Sequence, residues 1–403
     1  LTILANPAIE NQVLAIELAE LILYWERKAK DSKEESQATQ EDENIEEDKE
    51  EATATTTTAA DEVRPEGDFT TSPNYSIPFG QREACVTFLI RYVCISPQRA
   101  SESELGQKAL GILYDLLSPE HWAEVSVKLT FFEKFLLAQD INSSNLLGYC
   151  LNALEVLGVV LEWKKPEWIV SNLSYLQKLL EKCIKSDNHD IQEVLQRVLS
   201  IILKAIADQK TPEEEDEEED DVKEFLTLLT TTVTENLGDT SSVPAGVTLF
   251  WTLAHYRPST LDNLLPTIMK TFSKLCKDHI TMTHQGSQTS TSKDNANLEF
   301  EAKMTTKLLE KILKLCASRI SNLGDQRRIF LSLLAQLIER SLDKDTLEKI
   351  IKIVKNWVFS RTDLFPTTKE KAAILSKMMV FEIRGEPSLS KEFYQIIVDK
   401  IGR

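Results

Sequence analysis

Glycine and proline are scarce in this chain, with 12 and 13 residues respectively among 403. Leucine, isoleucine, glutamate, lysine and alanine dominate instead, which is the composition of a nearly all-helical chain and leaves no sequence signal for strands. No apolar run approaches the roughly 18 to 20 residues needed to span a bilayer, so no membrane partner is expected. The chain does not open with Met, and no basic stretch leads into an apolar run and a cleavage site, so no secretory signal is read. Leu1 reads as the start of an excerpt. The acceptor patterns at Asn74, Asn142 and Asn172 are then chance matches.

The motifs of catalysis are missing as well. There is no G-x-x-x-x-G-K-[ST] loop, no G-x-G-x-x-G, no H-E-x-x-H and no paired CxxC. Five histidines are too few and too scattered for a catalytic array. Cys276, His279 and His284 come closest to a metal cluster, but a fourth ligand is lacking and His284 falls in a Thr/Ser-rich stretch, so no metal is expected. The six cysteines, Cys85, Cys94, Cys150, Cys183, Cys276 and Cys316, fall mostly on apolar helix faces, where Cys acts as a small hydrophobe in a reducing compartment. No cofactor and no small-molecule substrate follow from the sequence. The tryptophans lie among leucines at helical spacing rather than among interleaved Arg and Lys, which argues against direct nucleic-acid binding.

The formal net charge is −18, yet it is concentrated. Asp31 to Glu51 holds eleven acids and two lysines, net −9, and the nine consecutive carboxylates from Glu213 to Asp221 contribute another −9. The remainder of the chain is neutral. Two such runs read as solvated spacers that interrupt a fold, not as its function.

The periodicity between the interruptions is that of helix pairs. Asn6-Pro7 starts a first helix within residues 1–30, and residues 31–76 read as a disordered acidic and Thr-rich insertion. Residues 77–210 read as HEAT-like helix pairs, 211–221 as an acidic loop, 222–282 as further helices, 283–295 as a polar loop, and 296–403 as the last pairs. In the first of these blocks, helices are expected at about 101–117, 119–137, 142–161, 166–184 and 189–207. A repeat spaced by 47 aligns Pro119 with Pro166, with Trp122 and Trp168 following each one within a residue of that spacing, and aligns Leu129, Phe132 and Leu136 with Leu176, Leu179 and Cys183. The following apolar positions Leu147, Leu151 and Leu154 align with Val194, Val198 and Ile201. That period belongs to HEAT and armadillo arrays, in which one helix pair cannot bury its apolar face until a neighbour stacks on it. The expected fold is an all-α, HEAT-like or armadillo-type solenoid of antiparallel helix pairs with disordered loop insertions.

Three stretches carry a family resemblance: "ILANPAIENQVLAIELAELILYWE" (Ile3 to Glu26), "IPFGQREACVTFLIRYV" (Ile77 to Val93) and "FEIRGEPSLSKEFYQIIV" (Phe381 to Val398). They resemble the helical-repeat region of the TRRAP-type family of transcription-associated pseudokinase scaffolds, with a fungal character. The resemblance implies a non-enzymatic platform in the nucleus that belongs to SAGA-type histone acetyltransferase complexes. Its implied partners are other coactivator subunits and acidic transcription activators. The FAT region and kinase-like domain of that family are not in this stretch, so no family functional residue carries over. Two rival readings share the helical architecture: a cargo-binding nuclear-transport receptor, and the regulatory solenoid of an active PI3-kinase-related kinase.

If an acidic activator meets this chain, the charge pattern points to the C-terminal third. Residues 298–403 hold 20 Lys or Arg against 14 Asp or Glu. Lys303, Lys307, Lys311 and Lys314 share one arc of a helix opposite Leu308, Leu309, Ile312, Leu315 and Cys316. Lys344, Lys352 and Lys355 do the same opposite Ile350, Ile353, Val354 and Trp357. On consecutive second helices, the two stripes are expected to form one basic band.

Overall fold

The computed structural model describes residues 9–43, 76–209, 220–239, 241–285, 294–318, 323–359 and 367–400. Among them there is no strand, and no helix is long and apolar enough to cross a membrane. The fold is an α-solenoid of stacked helices. Contacts divide the chain into two compact units, Leu1–Lys164 and Lys165–Arg403.

The first unit is built from α1 (Ile9–Glu43), α2 (Phe79–Cys94), α3 (Glu104–Leu116), the single turn α4 (Glu133–Leu136) and α5 (Leu147–Glu162). Ala15, Ile16, Ala19 and Leu23 form the buried stripe of α1, and α1 packs on α2 and α3, with α5 against α2, α3 and α4. The backbone of α1 stays helical thirteen residues beyond Lys30, where the sequence reading ended it. Residues 31–43 are rich in Glu, Lys, Gln and Ala, all good helix formers, so a helix already nucleated by a packed segment extends through them. The rest of the insertion, residues 44–75, lies outside the described residues.

The helix expected over 119–137 is mostly absent. Residues 117–128 are irregular or extended, a 3₁₀ turn covers Leu129–Phe132, and only α4 is α-helical. Val125, Val127 and Leu129 are buried at alternate positions, a period of two rather than 3.6. Three β-branched residues, Val125, Val127 and Thr130, lower the helix propensity there, and Pro119 interrupts the chain just after α3. The apolar marks of the 47-residue repeat still fall on the core: Leu129, Phe132, Leu136, Leu176, Leu179 and Cys183 are all buried.

The second unit alternates between two layers. In one lie α7 (Leu173–Ile184), α9 (Asp220–Gly238), α11 (Thr260–Gln285), α13 (Gln326–Arg340) and α15 (Thr368–Met378), each packed on the next. In the other lie α8 (His189–Asp208), α10 (Val243–Tyr256), α12 (Asp294–Ser318), α14 (Lys344–Ile353) and α17 (Pro387–Lys400), again in contact in that order. The short helices α6 (Pro166–Ser171) and α16 (Val380–Arg384) pack on α8 and α17. Within each successive pair the two helices also touch, which is the arrangement a HEAT-like array requires.

Local chemistry sets the ends of these helices. Asn188 Oδ1 accepts from the Asp190 and Ile191 amides at the start of α8, and Asp343 Oδ2 accepts from Thr346 N at the start of α14. Thr367 and Glu370 form a reciprocal capping box on α15. Pro166 occupies the first turn of α6, and α16 stops at Gly385, whose φ of 67° lies in the left-handed region.

Two buried amides tie turns to the core. Asn152 of α5 donates to the carbonyls of Ser96 and Gln98 and accepts from Ala100 N at 2.7 Å. Gln192 of α8 donates to the carbonyls of Cys183, Ile184 and Ser186, closing the C-terminus of α7. Periodicity gives no sign of such residues, since they are polar letters at apolar positions.

Packed helices are also joined by ion pairs. Arg27 of α1 reaches Asp115 of α3 at 2.7 Å, Lys377 of α15 reaches Glu339 of α13 at 2.8 Å, and Arg327 of α13 reaches Glu370 of α15 at 3.3 Å. Partly exposed pairs of this kind contribute about 0–1 kcal/mol each, so they set register more than stability.

Candidate functional site

The lysines expected to form a band lie on α12 and on α14 with its continuation, and these helices are adjacent in one layer. Opposite them Leu308, Leu309, Ile312, Cys316, Ile350, Ile353 and Val354 are buried, as the stripes require. Lys303, Lys307, Lys314, Lys344 and Lys352 are exposed. Lys311 and Lys355 are half-buried. Burial lowers the pKa of Lys311, the nearby Lys307 lowers it further, and Glu193 of α8 partly opposes both.

The side chains do not form a surface of one sign. Glu310 of α12 sits between the two helices and accepts from Lys314 at 2.8 Å and from Lys349 of α14 at 2.8 Å. Partial burial pushes the Glu310 carboxyl up, but its two lysine partners outweigh that and hold it below the ordinary range. Lys355 lies 3.7 Å from Asp399 of α17. The one-letter pattern of each helix shows its lysines; it does not show which carboxylate the neighbouring helix brings to them.

Where α11, α12 and α14 meet, a cleft of about 550 Å³ opens. Lys303 and Lys307 line it from α12, Asp343 and Asp345 from the start of α14, and Lys349 from the next turn. Met282, Ala302 and Leu342 supply its apolar surface. Of the band, then, only Lys303 and Lys307 reach this cleft; Lys311, Lys314, Lys344, Lys352 and Lys355 do not line it.

His279 forms part of the same cleft, and hydroxyls of two neighbouring elements meet its ring. Its Nε2 lies 2.9 Å from Ser341 Oγ and its Nδ1 lies 3.3 Å from Thr306 Oγ1, so both nitrogens are engaged. His284 Nε2 is 3.1 Å from the Arg340 carbonyl oxygen. Cys276 is a buried thiol whose pKa is raised by burial, and the neighbouring Cys316 raises it further. Burial likewise pushes Cys85 up to about 11 and Cys94 to about 12, leaving these thiols unreactive near neutral pH. Among the described residues, a cation-ligand spacing occurs at His189, Asp190 and Glu193, three exposed side chains in the first turns of α8.

Residues 1–400 match the family described as the Tra1 HEAT repeat ring region. The chain is 48% identical over 405 residues to the SAGA complex/NuA4 acetyltransferase complex subunit TRA1 of Saccharomyces cerevisiae, covering 99% of this chain and 10% of that protein. It is 30% identical over 307 residues to the corresponding Tra1 subunit of Schizosaccharomyces pombe, covering 76% of this chain and 8% of that one. The transformation/transcription domain-associated protein of Homo sapiens is 22% identical over 438 residues, covering 97% of this chain and 11% of that protein. The chain therefore spans about a tenth of the length of the curated relatives it matches.

Proposed function

Because the chain belongs to the Tra1 HEAT-repeat ring family, we propose that it is a section of a non-enzymatic scaffold subunit of SAGA-type histone acetyltransferase complexes, acting in the nucleus in complex assembly and in activator recruitment. The observation that supports this most is the span of the family match, residues 1–400, which takes in every helix of both units. Stacked helix pairs offer long lateral surfaces and few enclosed pockets, which suits a platform for protein partners. The same match sets this chain apart from transport receptors, which share only the architecture.

Activator recruitment rests on a narrower footing, the exposed lysines of α12 and α14. An acidic activation segment drawn to them associates faster at low ionic strength, because exposed charges act within about 8 to 10 Å in physiological salt. The test uses the full-length protein in its assembled complex with the exposed Lys344 and Lys352 changed to Glu. The association rate of an acidic activation peptide should fall severalfold, and its salt dependence should flatten, while subunit composition stays the same. An unchanged on-rate returns those lysines to ordinary solvated positions. Loss of subunits would instead place them at an assembly contact.

A further inference from the structure

We propose that the cleft between α11, α12 and α14 docks an amphipathic peptide segment of mixed charge, one that carries a bulky aliphatic residue flanked by an acidic residue on one side and a basic residue on the other. The inference rests on the reading of this chain as a protein-binding scaffold, and it gives that reading a specific site and partner chemistry.

The walls of the cleft are of opposite sign. Lys307 supplies the cationic wall from α12, with Lys303, which already has a partner of its own, one helical turn away, and Asp343 and Asp345 face it from the start of α14. Lys349 stands on the α14 side, but its ammonium is already bonded to Glu310 at 2.8 Å. The Asp343 carboxylate accepts from both the amide and the hydroxyl of Thr346, which holds its charge on its own wall. His279 adds no charge, since burial lowers its pKa and Asp343 only partly opposes this.

Apolar surface lies between the walls. Leu342 in the turn before α14 is 47% exposed, and Met282 and Ala302 line the cleft beside it. A leucine side chain left half in water at the centre of a cleft gains from being covered, at roughly 25 cal/mol per Å² of apolar surface removed from solvent. The volume of about 550 Å³ accommodates a few side chains.

Charge complementarity then selects the occupant. A uniformly acidic segment would set carboxylates against Asp343 and Asp345, and a uniformly basic one would set ammonium groups against Lys303 and Lys307. Like charges brought together in a partly desolvated cleft discriminate against the wrong partner more strongly than the matched pairs attract the right one. A segment with both signs, spaced by an aliphatic residue, avoids both repulsions and covers Leu342.

The experiment titrates the full-length protein with fluorescein-labelled helical peptides of about 14 residues, read by anisotropy. Four are needed: mixed-charge with a central Leu, the same with Ser in place of Leu, all-acidic, and all-basic. The mixed-charge Leu peptide should bind at least about tenfold tighter than the other three. Asp345→Lys should move the preference to the all-acidic peptide, and the double change Lys303→Glu with Lys307→Glu should move it to the all-basic one. All three positions are exposed, so the unfolding transition should not move appreciably. If the all-acidic peptide binds the unaltered protein tightest and ignores Asp345→Lys and Leu342→Asp, the cleft is not its site; the proposal then fails and activator recruitment elsewhere on the chain stands. If no peptide is preferred, or Leu342→Asp leaves the mixed-charge affinity intact, the proposal is overturned outright.

Discussion

His279 Nε2 lies 2.9 Å from Ser341 Oγ, and both side chains are buried where α11 meets the turn between α13 and α14. The Ser341 hydroxyl oxygen also accepts the amide hydrogen of Asp343 at 3.3 Å. Burial favours the neutral ring, in which one nitrogen donates and the other accepts, and its second nitrogen, Nδ1, lies 3.3 Å from Thr306 Oγ1. One imidazole thus joins α11 to α12 and to the start of α14.

That arrangement predicts acid sensitivity. Burial lowers the folded-state pKa of His279, with Asp343 partly opposing, whereas in an unfolded chain the ring titrates near about 6.5. Because the folded value is the lower one, the stabilisation is complete above the unfolded pKa and is lost as pH falls through the folded one. The protection factors of the α11 and α14 amides in the full-length protein, taken relative to intrinsic exchange at each pH, should fall as the pH drops below about 6.5. His279→Asn should cost stability at pH 8 yet flatten that pH dependence; an equally steep profile in the variant would assign the sensitivity to other groups.

Asn152→Ala should be among the costliest single changes in the first unit. It would leave the Ala100 amide and the carbonyls of Ser96 and Gln98 without their partner in a buried setting, a loss of about 3 kcal/mol. Asn152→Asp should be no better, since a carboxylate cannot donate to the two carbonyls. Denaturant midpoints for the two variants provide the check, and a shift worth under about 1 kcal/mol would show that water replaces the side chain.

Gly148 gives a sharper contrast. A Cβ there would lie 2.4 Å from the Pro97 carbonyl oxygen, on the same turn that Asn152 clamps, whereas a Cβ at Gly111 of α3 meets nothing within 4 Å. Gly148→Ala should therefore destabilise by about 1–3 kcal/mol through backbone displacement. Gly111→Ala should stabilise by up to about 1 kcal/mol through helix propensity. Equal effects from the two substitutions would mean that the turn moves freely.

These cases also mark how far the sequence could be read. Helix pairs were legible because Leu179, Cys183, Val194 and Val198 recur at a period of 3.6 and all prove buried. Residues 119–137 misled because a few apolar letters fit both periods, and the alternation of Val125, Val127 and Leu129 prevailed. Asn152 and Gln192 were invisible because their partners are backbone carbonyls in turns, which no letter pattern encodes. The same holds for the cleft. Lys303 and Lys307 were readable on their own helix; the apposition of Asp343 and Asp345 depends on how α14 packs on α12, as does the neutralisation of Lys349 by Glu310.

The acidic run offers the last prediction, and the structure divides it. Glu213 to Glu219 lie outside the described residues, but Asp220 and Asp221 form the first turn of α9. Carboxylates in a first turn face the unpaired amides and the positive end of the helix dipole, where each stabilises by about 0.3–1 kcal/mol at low salt. Seven adjacent carboxylates before them have only one another for neighbours in sequence, and like charges repel. Replacing Glu213–Glu219 with an uncharged Gly/Ser stretch of equal length should therefore leave thermal stability unchanged or slightly raised. Asp220→Asn with Asp221→Asn should lower it by about 1 kcal/mol, an effect that fades as salt screens the dipole. If the seven-residue replacement instead lowers stability by several kcal/mol, those carboxylates are seated on a cationic surface. Loss of a subunit from the assembled complex, with stability intact, would identify them as a docking segment for a basic partner.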